Sequence, residues 1–201
     1  MRYVEAGLRG HPPNEISDEL VSLREQALTL EALKKDYRRK APVGRTRLEK
    51  LIRKYTDTAP VNIIGLANDL LLTVRQEDLG PDSGEIVRDI ERGGFSGYSV
   101  VVNINHPRVR KRFTAAHEIS HFLLHRDRIS NRLRDDKMYR SSLGTTREKE
   151  ANALAADLLM PRRVIRQLHA AGIRSAEDLA VKFDVSVEAM KRRLGIKEPS
   201  K

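Results

Sequence analysis

Two histidines four positions apart, with a carboxylate directly after the first, form the segment His117-Glu118-Ile119-Ser120-His121. On an α-helix, positions i and i+4 lie on one face, so the two imidazoles can bind one metal ion. Zinc accepts imidazole nitrogen at about 2.0–2.1 Å, and a catalytic zinc site takes three protein ligands and leaves one position for water. Glu118 lies one residue further round the helix, where it can act on that water as a general base. The segment therefore predicts a zinc site with a hydrolytic base beside it.

A third ligand has to come from elsewhere in the chain, because two histidines alone hold zinc weakly. Glu148 is the leading candidate, since it shares a face of a predicted helix at 146–160 with Ala151 and Ala155. The two alanines would let that helix approach the histidine helix closely. Asn152, one turn after Glu148, can support a ligand through a hydrogen bond. The sequence therefore predicts a His-His-Glu site with one open position.

Two other residues compete with Glu148 for the third position. Glu150 is close in sequence but points about 160° further round the helix. His125 lies one turn beyond His121, yet a straight helix cannot easily present three successive turns to one ion. Glu148 also has a purely structural interpretation, because Thr145-x-x-Glu148 matches a capping box. We rank Glu148 above His125 and place Glu150 last.

Composition and charge limit the class of protein. None of the 201 residues is cysteine, so disulfides and thiolate metal sites are excluded, and zinc has to be held by His, Asp or Glu. The sequence has no apolar run long enough to span a bilayer and no signal-peptide core, so we expect a cytoplasmic protein with no membrane partner.

The basic residues are distributed unevenly along the chain. The formal net charge is +10, and nearly all of the positive excess lies after residue 105. The excess favours a polyanionic or acidic partner, although a solvated basic surface explains it equally well. The basic segments 108–112 and 126–140 flank the histidine motif. We therefore expect an electropositive entrance to the site.

Hydrophobic periodicity predicts helices around a small set of strands. The clearest strand, at 98–104, is rich in β-branched residues. If this strand lies at a sheet edge, it can hold an extended substrate by strand addition. The polar, arginine-rich segment 126–145 has no clear period and predicts a loop. The other predicted elements are helices at 17–39, 45–55, 60–72, 108–125, 146–160, 161–171, 175–183 and 187–194, and strands at 73–76 and 85–89.

The predicted elements divide the chain into three parts. Residues 1–44 form an N-terminal extension with one amphipathic helix and a linker, residues 45–161 form the metal-binding core, and residues 162–201 form a C-terminal region of short helices. The amphipathic helix either packs on its own domain, which is the interpretation we favour, or docks a partner protein.

The last two predicted helices are compatible with a helix-turn-helix. Lys191, Arg192 and Arg193 would then face outward as candidate nucleic-acid contacts. A terminal helical hairpin packed on the body of the protein explains the same pattern, and we favour it because basic terminal helices are common. Nucleic-acid binding is therefore the weaker alternative.

Two segments resemble the motifs of the ImmA/IrrE family of bacterial and phage metallopeptidases. Residues 112–125, with the sequence RFTAAHEISHFLLH, are similar to that family's active-site helix. Residues 148–161, with the sequence EKEANALAADLLMP, are similar to its second motif, in which an acidic residue precedes an Ala-Asn-rich helix ending in Leu-Met-Pro. The valine-rich strand that ends at Asn103 and the segment 183–186 also fit the family's order. The similarity covers roughly residues 45–195.

This resemblance implies an α+β, zincin-like fold, mostly helical with a small twisted sheet beside the active-site helix. It also implies one Zn²⁺ per chain, held by His117, His121 and Glu148, with Glu118 as the catalytic base. Family members commonly cleave helix-turn-helix repressors, so the implied function is a zinc-dependent endopeptidase that regulates transcription through such a substrate. Nothing in the sequence resembles the C-terminal sensory domain of the IrrE branch, so the similarity is to the shorter, ImmA-like form.

Two questions remain open at the level of the sequence. A hydrolytic site of this kind usually contains a second electrophile, and the unranked candidates are Tyr98, Tyr139, His125 and His169. The alternative to a peptidase is a zinc-containing regulator that binds DNA, a repressor or an antitoxin without cleaving it.

Overall fold

The structure, a computed structural model, describes residues 47–126, 129 and 145–196. The N-terminal extension with its predicted helix and linker lies outside the described residues. Most of the predicted loop at 126–145, including Tyr139, also lies outside them.

Within the described residues, α-helices pack around a small sheet. The helices are α1 (Arg47–Thr56), α2 (Ile63–Asp69), α3 (Arg108–His125), α4 (Thr145–Leu159), α5 (Arg162–Ala170), α6 (Ala176–Phe183) and α7 (Val187–Leu194). The strands are β1 (Thr73–Glu77), β2 (Gly84–Arg88) and β3 (Tyr98–Asn103), and a short 3₁₀ helix (Gly94–Ser96) precedes β3. The predicted α+β class, mostly helical with a small sheet, is confirmed.

The sheet has the strand order β1-β3-β2, so the clearest predicted strand is the central one. β3 pairs in parallel with β1, where Thr73 lies opposite Ser99, and antiparallel with β2, where Gly84 lies opposite Val102. The proposal that the strand at 98–104 accepts a substrate at a sheet edge is therefore wrong, because both of its edges are already hydrogen-bonded. The edge strands of the described sheet are β1 and β2.

Side-chain caps decide where several helices begin. α2 begins at Ile63, later than predicted, because the Asn62 side chain accepts a hydrogen bond from the Gly65 amide. The side chains of Ser175 and Ser186 cap α6 and α7 in the same way. α3 and α7 have the bounds predicted from the sequence.

α3 lies at the centre of the fold, between the sheet and α4. Its buried residues include Ala115, Ile119 and Phe122, which pack into the hydrophobic core. In sequence, the residues of that core range from Leu48 in α1 to Met190 in α7. It therefore includes side chains from both the predicted metal-binding core and the predicted C-terminal region, and it holds α3 rigidly in place.

β2 approaches α3 closely through a glycine. A Cβ atom on Gly84 would lie 2.3 Å from Cγ2 of Thr114 and 2.8 Å from the carbonyl oxygen of Val101. Only glycine therefore fits between this strand and the helix. Because Thr114 lies one turn before Glu118, the contact brings β2 to the part of α3 that carries the histidine motif.

Arg112 fastens the beginning of α3 to two other parts of the fold. Its Nη2 donates a hydrogen bond of 2.9 Å to the Val61 carbonyl, and its Nε donates one of 3.1 Å to the Asp184 carbonyl. The same Nε lies 3.1 Å from the Asp184 carboxylate, and only 15% of the Arg112 side chain is exposed. Burial lowers the pKa of Arg112, and the Asp184 carboxylate opposes that shift. Arg112 thus joins α3 to the start of α2 and to the turn between α6 and α7.

Replacing Arg112 with methionine is expected to lower the free energy of unfolding by about 2–4 kcal/mol, because two carbonyls and a carboxylate lose a largely buried partner. Urea unfolding followed by circular dichroism measures the change. Arg108→Gln is the matched control, since Arg108 pairs with the same Asp184 carboxylate through a side chain that is 79% exposed. Its expected effect is below about 1 kcal/mol. Equal losses in the two variants would contradict the anchoring role of Arg112.

Candidate active site

α3 and α4 bring two histidines and a glutamate to one point. The Nε2 atoms of His117 and His121 lie 3.0 Å apart. The carboxylate oxygens of Glu148 lie 3.3 Å from Nε2 of His117 and 3.2 Å from Nε2 of His121. The two histidines come from successive turns of α3, and Glu148 comes from the first turn of α4. These three side chains form a group that can hold a metal ion.

The distances between the two imidazole nitrogens and the Glu148 carboxylate are close to those between ligands of a tetrahedral zinc ion. Ligands that bind zinc at about 2.0–2.1 Å in tetrahedral geometry are about 3.3 Å from one another. The two Nε2 atoms lie 3.0 Å apart. Each of them lies close to the expected distance from a different oxygen of Glu148, His117 at 3.3 Å from Oε2 and His121 at 3.2 Å from Oε1. Two imidazoles and one carboxylate are also a ligand set that zinc accepts, and they leave a fourth position open.

The environment of His121 keeps its imidazole neutral. Burial is the main cause that lowers the pKa of His121 to about 3, and the nearby His117 and His125 rings add to the effect. The rings of His117 and His121 have centroids 4.6 Å apart, and those of His121 and His125 have centroids 5.5 Å apart. A neutral imidazole has a free lone pair, which is the form that binds a metal ion.

Asn152 orients the first histidine. Its Oδ1 lies 3.0 Å from Nδ1 of His117, one turn of α4 beyond Glu148. If Nδ1 carries the proton and donates it to this oxygen, Nε2 of His117 is left unprotonated and directed at the ligand group. The predicted supporting position of Asn152 therefore agrees with its contact in the structure.

Replacing Asn152 with leucine is expected to weaken zinc binding by about 10- to 100-fold, because the His117 ring loses the acceptor that sets its tautomer and orientation. Competition with a chromophoric chelator measures the dissociation constant. Asn152→Asp is the matched control, since it keeps an acceptor oxygen of the same reach, and we expect it to bind zinc at least as well as the wild type. Normal affinity in Asn152→Leu would show that the hydrogen bond does not support the site.

Glu118 lies next to the first ligand on α3 and is well shielded from solvent, with 8% of the residue exposed. It shares a helix face with Thr114, which contacts β2 at Gly84. A carboxylate in this position can accept a proton from a water molecule beside the ligand group.

The competing ligand candidates lie beside the group rather than in it. Glu150 points away from Glu148, and its Oε2 lies 3.6 Å from Nε2 of His125. This separation is too long for a hydrogen bond, and the ring of His125 packs next to that of His121. The preference for Glu148 over both rivals therefore agrees with the geometry, while His125 remains close enough to stay a candidate electrophile.

The other predicted electrophiles differ in their surroundings. Tyr98 is only 9% exposed, and its ring packs edge-on against Phe122 with centroids 5.3 Å apart. The guanidinium of Arg126 lies 5.0 Å from the centre of the Tyr98 ring. These contacts place the Tyr98 ring in the hydrophobic core, and its role as an electrophile stays a prediction. His169 lies in the last turn of α5, where its Nε2 is buried and has no hydrogen-bond partner among the described residues.

The C-terminal basic residues do not form one outward face. Arg193 has a side chain that is only 8% exposed and lies 2.6 Å from the Asp157 carboxylate. It also donates a hydrogen bond of 2.9 Å to the Met160 carbonyl, so its prediction as a nucleic-acid contact is wrong. Lys191 lies 3.8 Å from Glu177, and the Arg192 side chain is 80% exposed. Through Arg193 the last helix packs on the end of α4, as a terminal hairpin would.

The sequence did not reveal a groove that lies one residue away from the ligand group. The groove has a volume of about 770 Å³ and lies between α3, α4 and α7, with Asn152 in its wall. Phe113 also lines it, one turn before His117 on the same face of α3. The spacing of Phe113 and His117 could have indicated the wall formed by α3. The wall formed by α7 could not have been predicted, because it depends on how α7 packs against the other helices.

A fold of this class with a His-His-Glu group on adjoining helices defines a domain of the metallopeptidase type. The family model for the IrrE N-terminal-like domain, Peptidase_M78, matches residues 67–195, which include α3, the ligand group and the C-terminal helices. The chain therefore belongs to this family, and the resemblance to the ImmA/IrrE family is confirmed. Comparison with curated proteins gives no match. In the part of the chain that the structure describes, no helix combines the length and apolarity needed to cross a membrane.

Proposed function

We propose that this protein is a zinc-dependent endopeptidase that hydrolyses a peptide bond in a protein substrate. The observation that carries the proposal is the group formed by His117, His121 and Glu148, in which the two imidazole Nε2 atoms lie 3.0 Å apart and each lies within 3.3 Å of a Glu148 carboxylate oxygen. Glu118, which directly follows His117 on α3, is only 8% exposed, and the chain belongs to a metallopeptidase family.

His117, His121 and Glu148 would hold the zinc ion, and Asn152 would keep the His117 ring in its binding tautomer. Zinc bound there would supply Lewis-acid chemistry, since it would lower the pKa of water towards about 7 and polarise a carbonyl group. Glu118 then takes a proton from the attacking water and passes it to the amine that leaves when the peptide bond breaks. His125, next to the ligand group, is the described candidate for a second electrophile.

The substrate would lie along β2 rather than β3. β2 is an edge strand of the described sheet, and Gly84 brings it against α3 one turn before Glu118. An extended peptide that adds to a sheet edge gains main-chain hydrogen bonds without depending on its own sequence. This arrangement would hold the peptide straight beside the group that carries out the hydrolysis.

We propose a helix-turn-helix transcriptional repressor as the substrate and the cytoplasm as the place of cleavage. Support for this substrate comes from the family to which the chain belongs. Cleavage of a repressor would release its target genes, so the peptidase would regulate transcription.

The test is to incubate the full-length protein with the repressor encoded next to its gene and to follow the products by mass spectrometry. Two defined fragments are expected with zinc present and none after removal of zinc by a chelator. A Glu118→Gln sample prepared in parallel excludes a contaminating protease, since it should give no fragments. An intact repressor after incubation with a large amount of zinc-loaded protein contradicts this substrate. A stable complex without cleavage would instead favour a repressor-binding regulator that is not a peptidase.

A further inference from the structure

The groove next to the ligand group has an apolar floor. It lies between α3, α4 and α7 and has a volume of about 770 Å³. Its wall includes Asn152, whose Oδ1 is 3.0 Å from Nδ1 of His117, so one residue separates the groove from the ligand group. The apolar side chains that line it are Val109, Phe113, Ala156, Met160, Val185 and Ala189. A groove of this volume has room for several residues of a substrate, and its apolar lining suits an apolar side chain among them.

Arginines surround this floor, and two of them have no carboxylate partner among the described residues. Arg192 lies 2.5 Å from Glu188, and Arg193 is neutralised by Asp157. Arg110 is exposed and donates a hydrogen bond of 2.9 Å to the neutral hydroxyl of Ser83.

Arg162 is the second arginine of the groove without a carboxylate partner among the described residues. It is exposed at the start of α5 and lines the same groove. Within the described ranges, neither Arg110 nor Arg162 forms an ion pair. The rim therefore carries two positive charges that a ligand's carboxylates can neutralise.

We propose that this groove is a substrate subsite that binds an apolar side chain flanked by carboxylates, and that it directs the peptidase to apolar positions within acidic segments. The inference rests on the proposed peptidase function, because it treats the groove as the continuation of that active site. The floor would take the apolar side chain, while Arg110 and Arg162 would bind carboxylates on neighbouring residues of the substrate. A peptide with basic neighbours would place like charges against this rim and bind poorly.

The test measures binding of fluorescein-labelled decapeptides to zinc-loaded Glu118→Gln protein by fluorescence anisotropy, so that cleavage does not consume the probe. Three peptides differ only at their centre, which reads Glu-Glu-Leu-Glu-Glu, Gln-Gln-Leu-Gln-Gln or Glu-Glu-Gly-Glu-Glu. The first is expected to bind about tenfold more tightly than each of the other two, because only it has both the apolar side chain and the charges. Equal dissociation constants for the three peptides would overturn the proposal.

Charge reversal at the rim tests the two arginines directly. Introducing Arg110→Glu and Arg162→Glu together is expected to abolish the preference for glutamate over glutamine. Arg166→Glu is the matched control, because Arg166 is an exposed arginine on α5 outside the groove, and it should keep the preference within about twofold. An equal loss in the control would mean that net charge alone attracts the peptide, which would also overturn the proposal.

Filling the groove provides a second, independent measurement. Ala153 is exposed and lines the groove, so Ala153→Trp should fold normally and weaken binding of the leucine peptides about tenfold or more. Unchanged binding would place the peptides elsewhere and contradict the subsite.

The proposed peptidase function and the proposed subsite are tested by different outcomes. Selective peptide binding without repressor cleavage would contradict the repressor as the substrate and still support the subsite, whereas repressor cleavage without peptide selectivity would refute the subsite.

Discussion

Replacing Glu118 with glutamine is expected to lower the rate of repressor cleavage by about a hundred- to ten-thousandfold while leaving the zinc content of the purified protein unchanged. Glutamine has nearly the same shape as glutamate, so the 8% exposed position can accept it without a cavity. Its amide oxygen, however, is a very poor base and cannot take the proton from the attacking water. The rate of hydrolysis should fall although zinc is still bound by His117, His121 and Glu148.

The experiment compares initial cleavage rates with zinc content measured by inductively coupled plasma mass spectrometry on the same samples. Glu150→Gln is the matched control, because it makes the same change from carboxylate to amide on α4, where Glu150 lies beside His125. It should retain cleavage within a few-fold of the wild type. A Glu118→Gln enzyme with a normal rate would exclude Glu118 as the base, and a variant that had lost its zinc would show that the residue also supports the metal site.

Replacing Glu148 with alanine is expected to reduce the zinc content from about one ion per chain to below about one tenth after dialysis. The substitution removes one of three ligands and leaves two histidines, which bind zinc weakly without a third group. Because 46% of the Glu148 side chain is exposed, its loss should cost little stability in the metal-free protein. Cleavage should be lost together with the zinc.

Two measurements separate loss of the ligand from loss of the fold. Thermal unfolding of the wild type should shift to higher temperature when zinc is added, whereas Glu148→Ala should not respond at the same zinc concentration. Glu150→Ala serves as the control, since it changes a glutamate two residues away on the same helix and should bind zinc normally. Full zinc occupancy in Glu148→Ala would rule out Glu148 as a ligand.

Local rules account for the parts of the structure that the sequence predicted well. α3 was predicted to the residue at both ends because Pro107 precedes it and its apolar positions recur at helical spacing. The bounds of α7 were predicted equally well, since Ser186 caps its start and Gly195 ends it. The start of α2 was predicted too early because the side-chain cap at Asn62 was not recognised, although this cap is also a local feature.

Contacts between distant segments account for the errors. β3 is central rather than at an edge, and its continuous run of Val100, Val101 and Val102 was a signal for burial on both faces that could have been used. Arg193 was predicted to face outward because helical spacing does not reveal that Asp157 lies opposite it.

The sequence by itself determined that His117 and His121 share one helix face and that Glu118 lies beside them, because the geometry of a helix follows from short-range hydrogen bonds. Only the tertiary structure decided that Glu148 meets both histidines and that its neighbour Glu150 does not, since this depends on how α4 packs against α3. The groove with Arg110 and Arg162 on its rim likewise required helices from separate parts of the chain to pack together. Such packing is set by the burial of side chains across the whole core, and spacing within one segment does not contain that information.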